Sequence, residues 1–179
     1  FSSLGTQGRG ESVLNGAFYI YVYENFIPIA KERCPELIPH WREICTSLRS
    51  AVSACFEDGY FLRAFDDSGR KLGAKGDPEC AIDLSVQVYA ALAKAAPEEM
   101  TKSALEKAYQ RLYDDENSVV KLLDAPFTND GRRVGYINAY NPGVRENGGQ
   151  YTHAAAQYLI ALWQCGMKEK AFEILSVLN

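Results

Sequence analysis

The spacing of apolar residues predicts helices along most of the chain. In the clearest of them, which begins at Ile38, apolar residues recur at intervals of three and four and leave a charged opposite face. The apolar positions of this helix are Ile38, Trp41, Cys45, Leu48, Val52 and Cys55. A helix with similar spacing is predicted before it, from about residue 11 to 32, and we expect Pro28 to kink or end that helix.

Four more helices are predicted towards the C-terminus. They cover residues 80–96, 97–116, 149–164 and 168–178, and Gly166 ends the fifth. We expect the third and fourth to be antiparallel neighbours. Six helices in three consecutive hairpins, with long connections at one end only, predict an all-α fold that forms about half of a barrel of six helical hairpins. Such a half cannot bury its own inner faces, so its apolar edges should be exposed or covered by further chain.

Two stretches lack helical periodicity. Between residues 60 and 74, Asp66-Asp67-Ser68-Gly69 stands between short apolar runs and predicts a β-hairpin-like turn with short strands at most. Asp66 and Asp67 are therefore interpreted as turn residues, whereas Asp83, near a helix start, is either a helix cap or part of a pocket. Residues 117–149 form so long a connection that we interpret it as a binding loop.

Composition narrows the classes of protein. The 179 residues carry a formal charge of -4 with a pI of about 5.3, which argues against nucleic-acid binding. No apolar run approaches the roughly 20 residues of a membrane-spanning helix and no secretory signal is evident, so we expect a cytoplasmic protein with no membrane partner. The five cysteines form no CxxC pair, which favours core thiols in a reducing compartment over disulfides or zinc.

The candidate chemistry lies in residues 141–153. The glycine pair at positions 148 and 149 allows close backbone approach, and the helix that follows offers free amide groups to an anion. His153 lies in the first turn of that helix, with Arg145 and Glu146 upstream. The cluster suits a phosphate or sugar hydroxyl groups, although a structural role for His153 and a helix-dipole role for Glu146 stay open. Neither histidine has a second ligand at a recognisable spacing, so no metal site is predicted.

Several motifs together resemble a known family over nearly the whole chain. Gly135-Tyr136-Ile137, Tyr140 and Pro142-Gly143-Val144-Arg145-Glu146-Asn147-Gly148-Gly149-Gln150-Tyr151-Thr152-His153 resemble the inverting glycoside phosphorylases of glycoside hydrolase family 94, which include cellobiose and chitobiose phosphorylases. Further matching positions are Gly8-Arg9-Gly10-Glu11-Ser12-Val13, Phe65-Asp66-Asp67-Ser68-Gly69 and Ile82-Asp83. The resemblance implies an (α/α)6 barrel and reversible phosphorolysis of a β-glycosidic bond, giving an α-sugar 1-phosphate with inversion.

The resemblance also implies roles for individual residues. His153 would bind phosphate, and Glu146 would hydrogen-bond the sugar in the subsite before the cleaved bond. Arg145 and Tyr140 would line the acceptor subsite of a β-linked disaccharide or oligosaccharide. Two further pocket-lining residues are expected, Gln150 and Tyr136. Inorganic phosphate is the co-substrate, and no cofactor is implied.

Other parts of the implied site fall outside residues 1–179. The general acid is expected in an Asp-Trp-Asn-Asp-Gly motif immediately before Phe1, a Thr-Gly phosphate loop beyond Asn179, and one arginine in the earlier half of the barrel. We therefore expect residues 1–179 to be the C-terminal half of the catalytic domain of a longer parent protein, a fragment that is inactive without the remainder of the barrel. The resemblance also allows a homodimer.

Two alternatives stay open. An inverting hydrolase would use the same barrel with water in place of phosphate, and a non-catalytic helical module would bind carbohydrate or a protein partner. Dependence of sugar release on phosphate separates the phosphorylase from the hydrolase. The Asp-Trp-Asn-Asp-Gly motif in the natural gene separates an enzyme from a binding module.

Overall fold

A computed structural model describes residues 1–128 and 131–178. About half of these residues lie in helices, and the six predicted helices are confirmed. The helices are α1 (Val13–Arg33), α2 (Ile38–Ala54), α3 (Leu84–Leu92), α4 (Glu98–Leu112), α5 (Thr152–Gln164) and α6 (Lys168–Val177). Two short 3-10 turns accompany them, Pro35–Leu37 and Tyr136–Ala139.

The helices pair in three consecutive hairpins, as the sequence predicts. Helix α1 packs on α2, α3 on α4, and α5 on α6, while α3 also packs between α1 and α5. The main core fills this row of hairpins, and its largest fully buried side chains include Ile20, Leu105 and Tyr158. The row is the arrangement expected of half a helical barrel, and its closure into a complete barrel stays a prediction.

The connections contain small antiparallel sheets, which correct the all-α prediction. Each strand has two residues: β1 (Glu11–Ser12), β2 (Phe56–Glu57), β3 (Tyr60–Phe61), β4 (Ala64–Phe65), β5 (Lys71–Leu72), β6 (Ile82–Asp83), β7 (Tyr113–Asp114), β8 (Val119–Val120) and β9 (Leu123–Asp124). In the described residues they form four sheets, ordered β1-β4-β5, β2-β3, β6-β9 and β7-β8. Buried backbone groups in long connections need partners, and short ladders supply them. The pairing of β4 with β5 confirms the hairpin around Asp66.

Several predicted helix boundaries are wrong. Pro28 lies inside α1, which continues to Arg33. Because Pro28 is exposed, water can reach the backbone carbonyl that loses its helical partner there. Helix α3 begins at Leu84 rather than near residue 80, since the two residues before it pair with β9. Helix α4 ends at Leu112, where the chain enters β7, and α5 begins at Thr152.

Large apolar side chains are exposed at both ends of the row of hairpins, as expected of an open half-barrel. At the α1 end they are Phe18, Tyr19, Val22, Phe26 and Ile29, and at the α5–α6 end they are Ile160, Trp163, Phe172 and Leu175. All five cysteines are free thiols, and Cys45 and Cys80 are buried. Within residues 1–128 and 131–178, no helix combines the length and apolar character that crossing a bilayer requires.

Candidate active site

The N-termini of α1 and α3 lie at the same end of the fold. Ser12 caps α1 by accepting a hydrogen bond from Asn15 N at 3.2 Å, and Asp83 caps α3 by accepting one from Ser85 N at 2.8 Å. The buried guanidinium of Arg63 donates to both caps, at 3.1 Å to Asp83 Oδ2 and 3.1 Å to Ser12 Oγ. One side chain therefore joins two helix N-termini.

The N-terminus of α5 lies beside that of α3. Leu84, the first residue of α3, donates its backbone N–H to the Leu122 carbonyl at 2.8 Å, and Leu122 N donates to the Gly149 carbonyl at 3.0 Å. An isolated antiparallel bridge also joins Lys121 to Gln150. The N-terminal ends of α1, α3 and α5, where unpaired amides and positive dipole ends lie, are thus gathered at the end of the molecule that carries the long connections.

Two buried asparagines hold the long loop before α5. Asn147 accepts a hydrogen bond from Phe127 N at 2.7 Å and donates to the carbonyls of Phe127 and Tyr140 at 2.9 and 2.8 Å. Asn138 accepts one from Val134 N at 2.9 Å and donates to the Arg132 carbonyl at 2.9 Å. Sequence reasoning did not single out either amide, because residue spacing does not reveal which asparagine is buried.

The glycine pair is required by the packing of the loop itself. Gly148 has a positive φ of 82°, and a Cβ there would lie 2.9 Å from Pro126 Cγ. A Cβ on Gly149 would lie 2.8 Å from the Gly143 carbonyl oxygen and 2.9 Å from that of Arg145. These contacts are closer than a side chain tolerates, so the two glycines let the loop fold back on itself.

Four of the six predicted site residues lie together on this loop. The Arg145 guanidinium stacks over the Tyr140 ring, 4.8 Å from its centroid, and the Tyr136 and Tyr140 rings meet edge to face at 6.0 Å. Arg145 Nε lies 3.4 Å from Glu146 Oε2. The result is an exposed aromatic and cationic surface beside a carboxylate.

The Glu146 oxygen that forms the ion pair with Arg145 has no hydrogen-bond donor in the described part of the chain. The Glu146 side chain is 15% exposed, and Oε2 is a buried atom with no hydrogen-bond partner among the residues that the structure describes. Burying a carboxylate oxygen without a hydrogen-bond donor is unfavourable. The position of this oxygen therefore suits a ligand that brings its own donor.

His153 lies in the first turn of α5 and is exposed. Its ring meets the ring of Tyr151 edge to face, with 4.4 Å between the centroids. Hydrogen bonding with the Glu146 carboxylate raises the pKa of the Tyr151 hydroxyl, and the negative charge of Glu146 adds to the effect. Tyr151, which was predicted only as part of a motif, thus contacts the imidazole of His153.

Gln150 is placed differently from the other predicted site residues. Its side-chain Oε1 accepts a hydrogen bond from Val120 N at 2.8 Å, so the side chain fastens the base of the loop. Its expected place in a pocket lining stays a prediction.

Asp66 and Asp83 both form hydrogen bonds within the chain that stabilise a turn or a helix end. Asp66 accepts hydrogen bonds from Ser68 N at 2.9 Å and Arg70 N at 3.0 Å, as expected of a turn residue. Hydrogen bonds from the Ser68 side chain above all, and from Arg70 and Arg132, hold the pKa of Asp66 well below its usual range. Asp83 is the cap of α3.

Asp67 does more than form a turn. Its carboxylate accepts hydrogen bonds from the backbone N–H groups of Gln7, Arg9 and Gly10, at 2.8, 2.9 and 3.0 Å. The aspartate thereby fixes the glycine-rich segment near the start of the chain, and these hydrogen bonds lower its pKa.

The fold and this loop define a helical domain with an exposed aromatic and cationic loop surface, and comparison with known proteins identifies its family. Residues 3–179 match the family model for the catalytic domain of the glycosyl hydrolase 94 superfamily, and the chain belongs to this family. The resemblance found in the sequence is confirmed. Within the described residues, no group of three or more His, Cys, Asp or Glu side chains is placed to hold a metal ion.

Known relatives align along nearly the whole chain. Cyclic beta-(1,2)-glucan synthase NdvB of Rhizobium meliloti (strain 1021) is 33% identical over 98% of the chain and 6% of its own length. Solabiose phosphorylase of Paenibacillus borealis is 27% identical over 98% of the chain and 23% of its own length. N,N'-diacetylchitobiose phosphorylase of Vibrio furnissii is 24% identical over 96% of the chain and 22% of its own length. The chain thus spans less than a quarter of the length of each of these relatives.

Proposed function

We propose that residues 1–179 form the C-terminal half of the catalytic domain of a glycoside phosphorylase. The parent protein would use inorganic phosphate to cleave a β-glycosidic bond and release an α-sugar 1-phosphate with inversion. One observation carries the proposal: in a family 94 domain, the exposed His153 at the N-terminus of α5 follows the loop that carries Glu146, whose buried Oε2 has no hydrogen-bond partner among the described residues.

Phosphate would bind at the N-terminus of α5. The first amides of a helix lack intrahelical partners and lie at the positive end of its dipole, so an anion is stabilised there. His153 adds an imidazole that can donate a hydrogen bond to a phosphate oxygen. The Thr-Gly loop and the arginine expected elsewhere in the parent protein would complete the phosphate site.

The sugar on which phosphate acts would bind at Glu146. Its Oε2, which has no hydrogen-bond donor within residues 1–128 and 131–178, can accept a hydrogen bond from a sugar hydroxyl. The Tyr140 ring and the Arg145 guanidinium stacked on it form a flat surface for the C–H face of the acceptor sugar. Tyr136 would extend this surface and Gln150 would line its base.

The chemistry needs one proton donor and one nucleophile. The donor protonates the leaving oxygen as the bond from that oxygen to C1 breaks, while a phosphate oxygen forms the new bond to C1 from the opposite face. Phosphate is already an anion, so no second carboxylate is required as a base. The acid is expected before Phe1, so residues 1–179 alone should bind substrate groups but release no sugar 1-phosphate.

The test uses the parent protein with phosphate and a panel of β-linked substrates chosen from the names of the relatives. The panel contains a β-1,2-linked glucan oligosaccharide, solabiose and N,N'-diacetylchitobiose. We expect α-sugar 1-phosphate from at least one, detected by phosphorus NMR. His153→Ala should lower the rate about 10²- to 10³-fold, the size of effect seen when a group that stabilises transition-state charge is removed.

A control variant and two alternative results decide whether the proposal holds. His40→Ala, on the first turn of α2 and exposed, is the control and should keep the wild-type rate. Sugar release at the same rate with and without phosphate would overturn the proposal in favour of a hydrolase. Failure to act on any β-linked sugar, together with retained carbohydrate binding, would favour a non-catalytic module.

A further inference from the structure

We infer that Phe1 is a positioning residue that holds the chain next to the expected general acid against the buried guanidinium of Arg63. This role rests on the proposed function, in which the proton donor lies in the motif directly before Phe1. The Phe1 side chain would carry no proton itself and would act through the residues beside it. Arg63 supplies the fixed surface on which the Phe1 ring lies.

The guanidinium of Arg63 is held in place from two sides. The Arg63 side chain is 9% exposed, and it donates hydrogen bonds of 3.1 Å to Asp83 Oδ2 and 3.1 Å to Ser12 Oγ, the caps of α3 and α1. Asp83 is itself fixed, because it accepts a hydrogen bond from Ser85 N at 2.8 Å. A planar cation anchored at two helix ends offers its flat face as a rigid support for an aromatic ring.

The Phe1 ring lies on that face. Arg63 Cζ is 4.4 Å from the centroid of the ring, within the range of a cation–π contact. The ring of Phe127 meets the Phe1 ring edge to face, with 5.8 Å between the centroids. Phe1 also packs against the smaller buried cluster, to which Phe127 and Val134 belong. Side-chain contacts, rather than a helix or a strand, therefore fix the chain at Phe1.

The residues that follow Phe1 are fastened through their backbone. Ser3 N donates a hydrogen bond to the Val134 carbonyl at 3.3 Å, and the Leu4 carbonyl accepts one from Asp67 N at 2.9 Å. The first contact joins this segment to the loop before α5, and the second joins it to the hairpin of β4 and β5. The segment cannot shift without breaking contacts on both sides.

These contacts restrict where the preceding residues can lie. Three residues of chain span at most about 10 Å, so the end of the expected Asp-Trp-Asn-Asp-Gly motif must lie close to the Phe1 backbone. Arg63, under the Phe1 ring, joins the N-termini of α1 and α3, and the N-terminus of α5 with His153 lies beside that of α3. The proton donor would thereby reach the end of the fold at which phosphate is proposed to bind.

Firm anchoring matters because the donor must meet the leaving oxygen as its bond to C1 breaks. A misplacement of roughly 1 Å costs about 10²-fold in rate. The Phe1 ring therefore affects the protonation step more than it affects the binding of sugar or phosphate, and this difference can be measured.

The experiment compares two substrates that differ in their need for an acid. A β-linked disaccharide loses a sugar oxygen that must gain a proton, whereas the β-fluoride of the same sugar loses fluoride, a weak base that leaves as the anion. Phosphate forms the new bond to C1 in both reactions. Phe1→Leu in the parent protein should lower kcat/KM for the disaccharide about 10²-fold, but that for the fluoride by no more than about threefold.

A conservative variant and a matched control accompany Phe1→Leu. Phe1→Tyr keeps an aromatic face for Arg63 and should stay within about threefold of the wild type with both substrates. The control is Phe56→Leu. Phe56 is also half-buried and also meets a second ring edge to face, that of Phe61 at 5.1 Å, but it packs against the main core. Its replacement should leave the ratio of the two kcat/KM values unchanged.

The inference would be overturned by a Phe1→Leu protein that matches the wild type, by equal losses with both substrates, or by a Phe1→Tyr protein as impaired as Phe1→Leu. Should Phe1→Leu fail to fold, Phe1→Met decides in its place, because it also lacks an aromatic face. His153→Ala is measured alongside and should lose rate with both substrates, since both use phosphate. If it does so while Phe1→Leu matches the wild type, the inference fails and the proposed function stands.

Discussion

Two carboxylate–arginine pairs lie at the same end of this fold, and they differ in how completely the protein uses them. In the pair of Asp83 and Arg63, the side chains are 3% and 9% exposed, and both aspartate oxygens have donors, Ser85 N and Arg63 Nε. In the pair of Glu146 and Arg145, the exposures are 15% and 60%, and Glu146 Oε2 has no hydrogen-bond partner among the described residues. The fold supplies a hydrogen-bond donor to each carboxylate oxygen of the first pair, whereas one oxygen of the second pair has none among the described residues.

The difference indicates which pair stabilises the protein and which one binds a ligand. A buried charge whose hydrogen bonds are all satisfied by the chain contributes to the fold, and removing its partner leaves it stranded. A carboxylate with an unused buried acceptor gains most from an incoming donor. Both pairs join a carboxylate to an arginine, so burial and completeness of hydrogen bonding are what separate them.

The largest expected effect is on stability, and it appears when the arginine of each pair is replaced by methionine. Arg63→Met should destabilise the folded parent protein by about 3–5 kcal/mol, because Asp83 would be left as an unpaired buried charge. Arg145→Met should change stability by no more than about 0.5 kcal/mol, as is usual for an exposed side chain, but should weaken acceptor binding. Urea unfolding and steady-state kinetics measure the two effects. Equal losses of stability would remove the contrast.

The second effect is the loss of stability expected when a side chain is added to the glycine pair in the loop that carries Glu146. Gly149→Ala should cost about 1–3 kcal/mol through overpacking, since its Cβ would meet the Gly143 carbonyl oxygen at 2.8 Å, and it should impair activity by displacing Glu146.

The matched control for Gly149→Ala is Gly16→Ala inside α1. There a Cβ would meet Val52 Cγ2 at 3.5 Å, an ordinary contact, so about 0.5–1 kcal/mol of stabilisation is expected. Thermal unfolding of both variants checks the two signs, and a stabilised Gly149→Ala protein would contradict the account of the loop.

The smallest expected effect is the pH dependence of stability that arises from Asp66. Both oxygens of this carboxylate also accept hydrogen bonds from the chain. Its pKa is lowered in the folded state, so its ionised form stabilises the protein above the unfolded pKa of about 3.9, and this contribution is lost as the pH falls further. Asp66→Asn should therefore lower the thermal midpoint near neutral pH, and the difference from wild type should shrink as the pH drops below about 4. A difference that does not shrink as the pH falls would contradict this account of Asp66.

The helices could be predicted from the sequence because each buries one stripe at helical spacing. The apolar positions at Ile38, Cys45 and Val52 of α2 are all buried, for example. The strands could not be predicted, since a strand of two residues is too short to show an alternating pattern. Their pairing also explains the late start of α3, because the residues before Leu84 belong to β6.

The candidate site was predictable as a segment but not as a set of contacts. The polar residues from 141 to 153 and their resemblance to family 94 indicated where ligands would bind. Nothing in the spacing showed that Asn147 is fully buried and anchors the loop, or that the side chain of Gln150 bonds to Val120 N. These contacts join segments 20 and 30 residues apart, and local patterns do not encode such distances.

The most direct test of the central claim follows oxygen into the product. The parent protein is supplied with a β-linked disaccharide and phosphate in water enriched in oxygen-18, and the sugar products are examined by mass spectrometry. The account predicts a sugar 1-phosphate whose C1 oxygen comes from phosphate and carries no label. Free sugar labelled at C1, formed at a rate that phosphate does not change, would contradict it.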